Sequence, residues 1–127
     1  MGNGTQLGRV RGLGAGGGAV VHHWWLQRVT AVASLFLVLW FVFSLARLPS
    51  LDYASTVMWV RQPLVAVPLC LLVVSVFWHF RLGVQVMLED YLHGSKRVIA
   101  MLALNFYTFA LGALALFSVL KVALSAG

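Results

Sequence analysis

The sequence predicts an all-α integral membrane protein, and three observations support this prediction. Of the 127 residues, 61% are hydrophobic and only 9% are charged, whereas a soluble domain carries roughly a quarter charged residues. The apolar residues are concentrated in three long segments. The basic residues flank these segments for the most part. We therefore expect one domain with three transmembrane helices.

The predicted helices cover about residues 24–46, 63–88 and 98–124. Each approaches or exceeds the roughly 20 residues that are needed to cross ~30 Å of hydrocarbon. Because lipid offers no hydrogen-bonding partner to the backbone, such segments form helices. Pro63 suits the first turn of the second helix, where a missing amide hydrogen is no loss. Residues 22–127 are accordingly assigned to a three-helix membrane anchor.

Residues 1–21 are predicted to form a flexible arm, because the stretch 12–18 is rich in glycine. A phosphate-binding loop is the alternative, but it needs a preceding strand and a following Lys-Ser/Thr pair, which this stretch lacks. Basic residues set the orientation, since they are enriched on the cytoplasmic side. Five share the side of the N-terminus (Arg9, Arg11, Arg28, Lys96 and Arg97), and three lie on the other side (Arg47, Arg61 and Lys121). This excess predicts a cytoplasmic N-terminus.

Composition argues against several kinds of function. The basic residues behind the net charge of +6 border apolar segments, so they indicate membrane topology and contact with lipid rather than nucleic-acid binding. Cys70 is the only cysteine and lies inside an apolar run. This chain alone therefore cannot build a disulfide, a zinc site or an iron–sulfur site from cysteine.

The most informative polar residue is His79, which lies within the second apolar segment. An ionisable side chain at membrane depth is costly and therefore suggests a function. At about 100° per residue, His79 shares one helix face with Gly83, Val86 and Asp90. Neutral imidazole is a good iron ligand, and the small residues Ser75 and Gly83 would leave room for a flat porphyrin. From spacing alone, a haem ligand and a histidine that only hydrogen-bonds a neighbouring helix are both open.

The chain offers no second histidine at the depth of His79. His22 and His23 lie at the start of the first helix, and His93 follows the second helix. All three are near the inner interface, more than about ten ångströms from His79 along the helix axis. A haem bound by two histidines would therefore need another chain. This predicts a place in a hetero-oligomeric membrane helix bundle, or else a symmetric homodimer.

Other polar residues lie near the inner interface. Arg28, with a histidine nearby, could pair with haem carboxylates, or it could extend to the lipid headgroups. Asp90 and Tyr91 end the second helix, where the tyrosine hydroxyl could bind a polar ligand head group or belong to an aromatic belt.

Arg81 is a second charged residue within the membrane span. It lies about 200° around the helix from His79. Three roles are open: it could extend to the headgroups, meet an acidic residue of a partner subunit, or reach a haem carboxylate from the edge.

Two motifs resemble a known family. The pattern His79-x3-Gly83-x6-Asp90-Tyr91 is similar to the signature of the small D-type membrane anchor of succinate dehydrogenase (succinate:quinone oxidoreductase, respiratory complex II).

The second motif is His23-Trp24-Trp25-x-Gln27-Arg28, followed by Thr30-Ala31. It resembles the start of the first helix in alphaproteobacterial-like members of that family. The resemblance covers about residues 7–125 and includes three spans in the right order.

The resemblance implies a shared haem site. His79 would be an axial ligand of haem b, and the C-type anchor subunit would supply the other ligand. Arg28, and less directly His22 or His23, would meet the haem propionates.

The resemblance also implies a quinone site and partners. Tyr91 would hydrogen-bond a ubiquinone carbonyl, with Asp90 nearby. The partners would be the C-type anchor, an iron–sulfur subunit and a flavoprotein subunit that oxidises succinate on the inner side of the bacterial inner membrane. This chain carries no flavin or cluster ligands, so it would be a subunit outside the catalytic core.

Two other functions are compatible with the residues. A haem-free structural anchor or assembly subunit would use His79 only for packing. A small transporter or proton-path subunit would use it as a relay. The relay predicts further acidic residues in the spans, and the apolar segments contain none before Glu89 and Asp90.

Overall fold

Four helices form the regular structure of residues 15–125, which are the part of the chain that the computed structural model describes. They are α1 (Ala15–Ala46), α2 (Tyr53–Val60), α3 (Pro63–Tyr91) and α4 (Ser95–Ala123). Three of them, α1 from Val21 onward, α3 and α4, are long and apolar enough to cross a membrane. These residues contain no strand. The predicted all-α fold with three transmembrane helices is confirmed.

Three of the six ends of the long helices extend beyond the predicted ones. Residues 15–21, assigned to the arm from the sequence, belong to α1, whereas residues 1–14 of that arm lie outside the described residues. α3 continues past residue 88 to Tyr91, and α4 begins at Ser95 rather than near residue 98. Extension is favourable because each residue added to an existing helix gains a backbone hydrogen bond without a new nucleation step.

The helix α2 lies between the first two predicted helices, in a segment to which the sequence analysis assigns no helix. Asp52 is its N-cap, and its carboxylate accepts a hydrogen bond from the backbone N–H of Ser55 at 3.3 Å. Trp59 is buried, and its ring lies 6.4 Å from the ring of Trp40 and 6.1 Å from that of Phe41, both on α1. Eight residues alone make a marginal helix, so this aromatic contact stabilises α2.

The three long helices form one layer with α3 in the middle. α3 packs against α1 on one side and α4 on the other, and within residues 15–125 α1 and α4 do not pack against each other. The connection between α3 and α4 is short, and Gly94 with φ +66° makes the reversal. Because the layer is not closed, many large apolar side chains on both faces are exposed. In a membrane, such faces contact lipid or further helices.

Candidate functional site

A hydrogen bond between α3 and α1 holds the ring of His79. The Nδ1 atom of His79 lies 3.2 Å from Thr30 Oγ1. The Thr30 hydroxyl donates its only hydrogen to the backbone of its own helix, because it lies 2.7 Å from the carbonyl oxygen of Leu26 and 3.2 Å from that of Gln27. Thr30 Oγ1 therefore accepts a hydrogen bond from the Nδ1–H of His79. This tautomer leaves the lone pair on Nε2 of the imidazole.

Two serines, each one helical turn from Thr30 or His79, form a second contact between α1 and α3. Ser34 Oγ lies 2.9 Å from Ser75 Oγ, which donates to the carbonyl oxygen of Thr30 at 3.1 Å. Ser75 is buried, and small residues of this kind let two transmembrane helices approach closely. The Ser75 side chain is thus used in the contact with α1, and the expectation that it leaves room for a porphyrin stays a prediction.

Gly83, in contrast, borders open space. A Cβ atom added at this position would meet no atom within 4 Å. His79 is half-buried, and within the described residues its ring makes one hydrogen bond, that of Nδ1 with Thr30. One turn of α3 thus combines an oriented imidazole, a free Nε2 and space at Gly83. A planar ligand bound through Nε2 fits this arrangement.

The three residues predicted to pair with the haem carboxylates, His22, His23 and Arg28, differ in burial and in position around α1. His23 is half-buried, and its Nε2 is buried without a hydrogen-bond partner in the described residues. It lies seven residues before Thr30, which places both within about 20° on one face of α1. His22 is exposed. Arg28 is also exposed, about 200° from Thr30, and its guanidinium lies 5.2 Å from the Trp24 ring. The face that holds His79 therefore includes His23 and not Arg28.

Asp90 and Tyr91 lie apart from His79, at the end of α3. Tyr91 is twelve residues from His79, or ~18 Å along the helix. Both side chains are exposed, and Tyr91 retains 81% of its accessible surface. The neighbouring Glu89 points elsewhere, since it accepts a hydrogen bond from Gln85 at 2.9 Å and lies 3.6 Å from Arg97. The predicted residues thus form two separate groups along one helix.

The side chains that orient His79 and Arg81 were not predicted from the sequence. Thr30 was named only as part of a motif, and Asn105 on α4, which binds Arg81, was not named. The available signal was simple. Hydroxyl and amide side chains inside an apolar span commonly hydrogen-bond another helix.

Comparisons with known proteins agree with this architecture. Residues 1–112 match a family described as "Succinate dehydrogenase/Fumarate reductase transmembrane subunit". The chain is 29% identical over 122 residues to the succinate dehydrogenase hydrophobic membrane anchor subunit of Paracoccus denitrificans, a match that covers 96% of this chain and 94% of that protein.

Shorter matches are also found. The hydrophobic membrane anchor subunit of Rickettsia bellii is 32% identical over 75 residues, or 59% of this chain and 60% of that protein. The membrane anchor subunit of Reclinomonas americana is 32% identical over 77 residues, or 58% of this chain and 64% of that protein. These two matches span less than two thirds of the relatives. No solved structure matches the chain. Because the family match covers most of the sequence, the chain belongs to the family of succinate dehydrogenase/fumarate reductase transmembrane subunits.

Proposed function

We propose that this chain is the D-type membrane anchor of succinate dehydrogenase, that it binds haem b together with a C-type anchor subunit, and that it contributes to the ubiquinone-reduction site. One observation carries the haem part of the proposal. The Nδ1 of His79 is held by Thr30 at 3.2 Å, and Nε2 is left for a metal. Histidines that bind a metal almost always donate their other ring N–H in this way, which fixes the ring and raises its basicity.

Four residues of this chain would contribute to haem binding, each in a different way. His79 would ligate the iron through Nε2, and Thr30 would keep the ring from rotating. Gly83 would leave room for the porphyrin, and His23 would hydrogen-bond a propionate from the same face of α1. When bound, the haem supplies a one-electron carrier inside the membrane.

The second ligand of the iron would come from the C-type anchor. Within residues 15–125 no group of three His, Cys, Asp or Glu side chains lies close enough to hold a metal ion, and a single histidine from each of two chains needs no such group. The open faces of the α1–α3–α4 layer provide space for that second membrane subunit. An iron–sulfur subunit and a flavoprotein subunit would complete the enzyme on the cytoplasmic side of the bacterial inner membrane.

The quinone site would lie at the exposed end of α3. The Tyr91 hydroxyl can donate a hydrogen bond to a quinone carbonyl, and Asp90 beside it adds negative charge near that hydroxyl. Both side chains are exposed in the isolated chain, so other subunits would form the remaining walls. In this arrangement the chain positions the electron acceptor and takes no part in succinate oxidation.

A haem-free anchor remains the second candidate, because the bond between Thr30 and His79 also satisfies a purely structural histidine. A pyridine haemochrome assay on the wild-type complex distinguishes the two. The proposed function predicts one haem b per complex, and absence of haem favours the haem-free anchor.

The assignment of the ligand is tested with the purified complex carrying His79→Ala. We expect the reduced-haem spectrum to be lost or shifted. The matched control is His93→Ala, which removes an exposed histidine between α3 and α4 and should leave the spectrum intact. An unchanged spectrum in the His79→Ala complex would reject His79 as the ligand.

A further inference from the structure

Arg81 is held between α3 and α4 on the opposite side of α3 from Thr30. Its Nε–H donates to the Oδ1 atom of Asn105 at 2.7 Å. The centre of its guanidinium lies 5.7 Å from the ring of Trp78, in the range of a cation–π contact. The guanidinium is thus fixed along one edge and covered on one face.

The hydrogen bond directs the side chain of Arg81 toward α4. Arg81 lies ten residues before Tyr91, where α3 ends, and Asn105 lies ten residues after Ser95, where α4 begins. Both are therefore ~15 Å from the same end of the helix pair. Because donor and acceptor lie at equal depth, the side chain runs across to α4 rather than toward the headgroups.

The rest of the guanidinium lacks an acceptor. Among the described residues, Nε is the one nitrogen of Arg81 that donates a hydrogen bond to a side chain, which leaves the four N–H groups of the two terminal nitrogens. Arginine remains charged in proteins, and an intramembrane charge pairs with an opposite charge or with carbonyl groups. A carboxylate matches the two terminal nitrogens best, because it accepts two parallel hydrogen bonds.

A haem at His79 does not supply this carboxylate. The His79 ring contacts α1 through Thr30, whereas the Arg81 guanidinium contacts α4 through Asn105. The two side chains leave α3 about 200° apart. A haem held through His79 would therefore be bound on a different side of α3 from the Arg81 guanidinium.

A second copy of this chain does not supply it either. The full sequence contains three acidic residues, Asp52, Glu89 and Asp90. Asp52 caps α2, and Glu89 and Asp90 lie in the last turn of α3. None of these three acidic side chains therefore lies at the depth of Arg81, which favours a carboxylate on a different polypeptide.

The cleft between α3 and α4 gives access to the free edge of Arg81. Its walls are almost entirely apolar, with Phe77 and Phe109 among the lining residues, and Arg81 lies at the end nearest Tyr91. We propose that Arg81, positioned by Asn105 and Trp78, pairs with an Asp or Glu side chain on a transmembrane helix of another subunit that packs on this cleft. The inference rests on the proposed function in one respect, namely that a second membrane subunit accompanies this chain.

The first test measures how much of the second membrane subunit co-purifies with this chain from membranes that express the complete complex. Arg81→Leu should lower that ratio at least tenfold, and Arg81→Lys, which keeps the charge, should retain most of it. Lys121→Leu is the control, because it removes one positive charge from the exposed end of α4. A leucine enters a membrane span more easily than an arginine, so loss of the partner would not be explained by poorer insertion of this chain.

The second test identifies the acidic residue. Dicyclohexylcarbodiimide enters membranes and activates buried carboxyl groups. In the Arg81→Lys complex, the introduced amine should attack the activated carboxyl and form an amide, with release of dicyclohexylurea. Mass spectrometry should then find a cross-linked peptide that contains an Asp or Glu of the second membrane subunit. The wild-type complex, which lacks this amine, is the control.

Three outcomes would overturn the pairing. The first is an Arg81→Leu chain that co-purifies with as much of the second membrane subunit as the wild type does. The second is an Arg81→Lys complex that assembles but shows no cross-link. The third is loss of the second subunit from both variants, which would indicate a structural role for Arg81. The haem content of the wild-type complex is measured in parallel. A missing cross-link with normal haem contradicts only the pairing, and a cross-link without haem contradicts only the haem site.

Discussion

The hydroxyl of Thr30 and the imidazole of His79 connect α1 and α3 through one hydrogen bond of 3.2 Å, although the two residues are 49 positions apart. The hydroxyl is oriented by the Leu26 carbonyl of its own helix. The direction of the His79 ring is therefore set from α1, whereas the residue itself belongs to α3. Under the proposed function, a change on α1 that never touches the iron should alter the haem.

Thr30→Val should raise the midpoint potential of the haem. Valine has nearly the same shape as threonine but cannot accept the hydrogen bond from Nδ1–H. Loss of that bond makes the imidazole a poorer donor and destabilises the ferric state relative to the ferrous state. A hydrogen bond worth roughly 0.5–1.5 kcal/mol corresponds to a rise of roughly 20–65 mV for one electron. Redox titration of the reduced-haem absorbance in the purified complex measures the shift.

The control for Thr30 is Thr30→Ser, which keeps the hydroxyl and should stay close to the wild-type potential. Equal shifts in the valine and serine variants would show that the shift does not come from loss of the hydroxyl, because serine keeps it. An unchanged potential in both would remove Thr30 from the haem site.

His23 should matter more to the haem than His22 or Arg28. The Nε2 of His23 is buried without a partner in the described residues, and its face of α1 is shared with Thr30. His22 and Arg28 are exposed. We expect His23→Ala to shift the haem potential or loosen the haem, with smaller effects of His22→Ala and Arg28→Leu. A larger effect of Arg28→Leu would show that the haem approaches α1 from its outer face.

The transmembrane helices could be predicted because length and apolar composition alone determine a membrane span. The helix α2 could not, since it depends on the burial of Trp59 against α1, a contact between distant parts of the chain. His79 could be singled out because a histidine is rare in such a span. The residues that hydrogen-bond His79 and Arg81 could not be predicted. Helical periodicity shows which residues share a face of one helix, but it does not show which other helix packs against that face. Thr30 and Asn105 lie opposite these residues only because α3 packs between α1 and α4.

Ser75→Leu should separate α1 from α3. Ser75 is buried at their contact, where its hydroxyl bonds Ser34 and the Thr30 carbonyl. A leucine overpacks this contact, at a cost of about 1–3 kcal/mol, and lowers the temperature at which the detergent-solubilised complex loses helical circular dichroism. The neighbouring Val76→Leu also introduces a leucine, but at a side chain that is 40% exposed, and it should leave that temperature unchanged. Equal destabilisation by both would contradict a specific contact at Ser75.

The cap of α2 should persist in acid. Hydrogen bonds from the side chain of Ser50 and then from that of Ser55 lower the pKa of Asp52 from 3.8 to about 2. The ionised carboxylate therefore stabilises α2 fully above pH 3.8, and this stabilisation is lost as the pH falls through about 2. The chain has two aspartates, Asp52 and Asp90, so carbon NMR of labelled aspartate in micelles, with Asp90→Asn for assignment, resolves the titration. A midpoint near 3.8 for Asp52 would contradict the capped geometry.

Tyr91→Phe should lower ubiquinone reduction without lowering succinate oxidation. Phenylalanine keeps the ring at the end of α3 but removes the hydroxyl that would donate to the quinone carbonyl. A hydrogen bond to a bound ligand is worth about 1 kcal/mol or more, so we expect a loss of roughly fivefold or greater in kcat/KM for quinone. Electron transfer from succinate to a soluble artificial acceptor should be unchanged, because it bypasses the quinone site.

Tyr53→Phe is the matched control. Tyr53 is 85% exposed at the start of α2, toward the opposite membrane surface, so this substitution should leave both activities unchanged. Equal loss of both activities in Tyr91→Phe would indicate defective assembly, and full quinone activity would exclude the hydroxyl from the site.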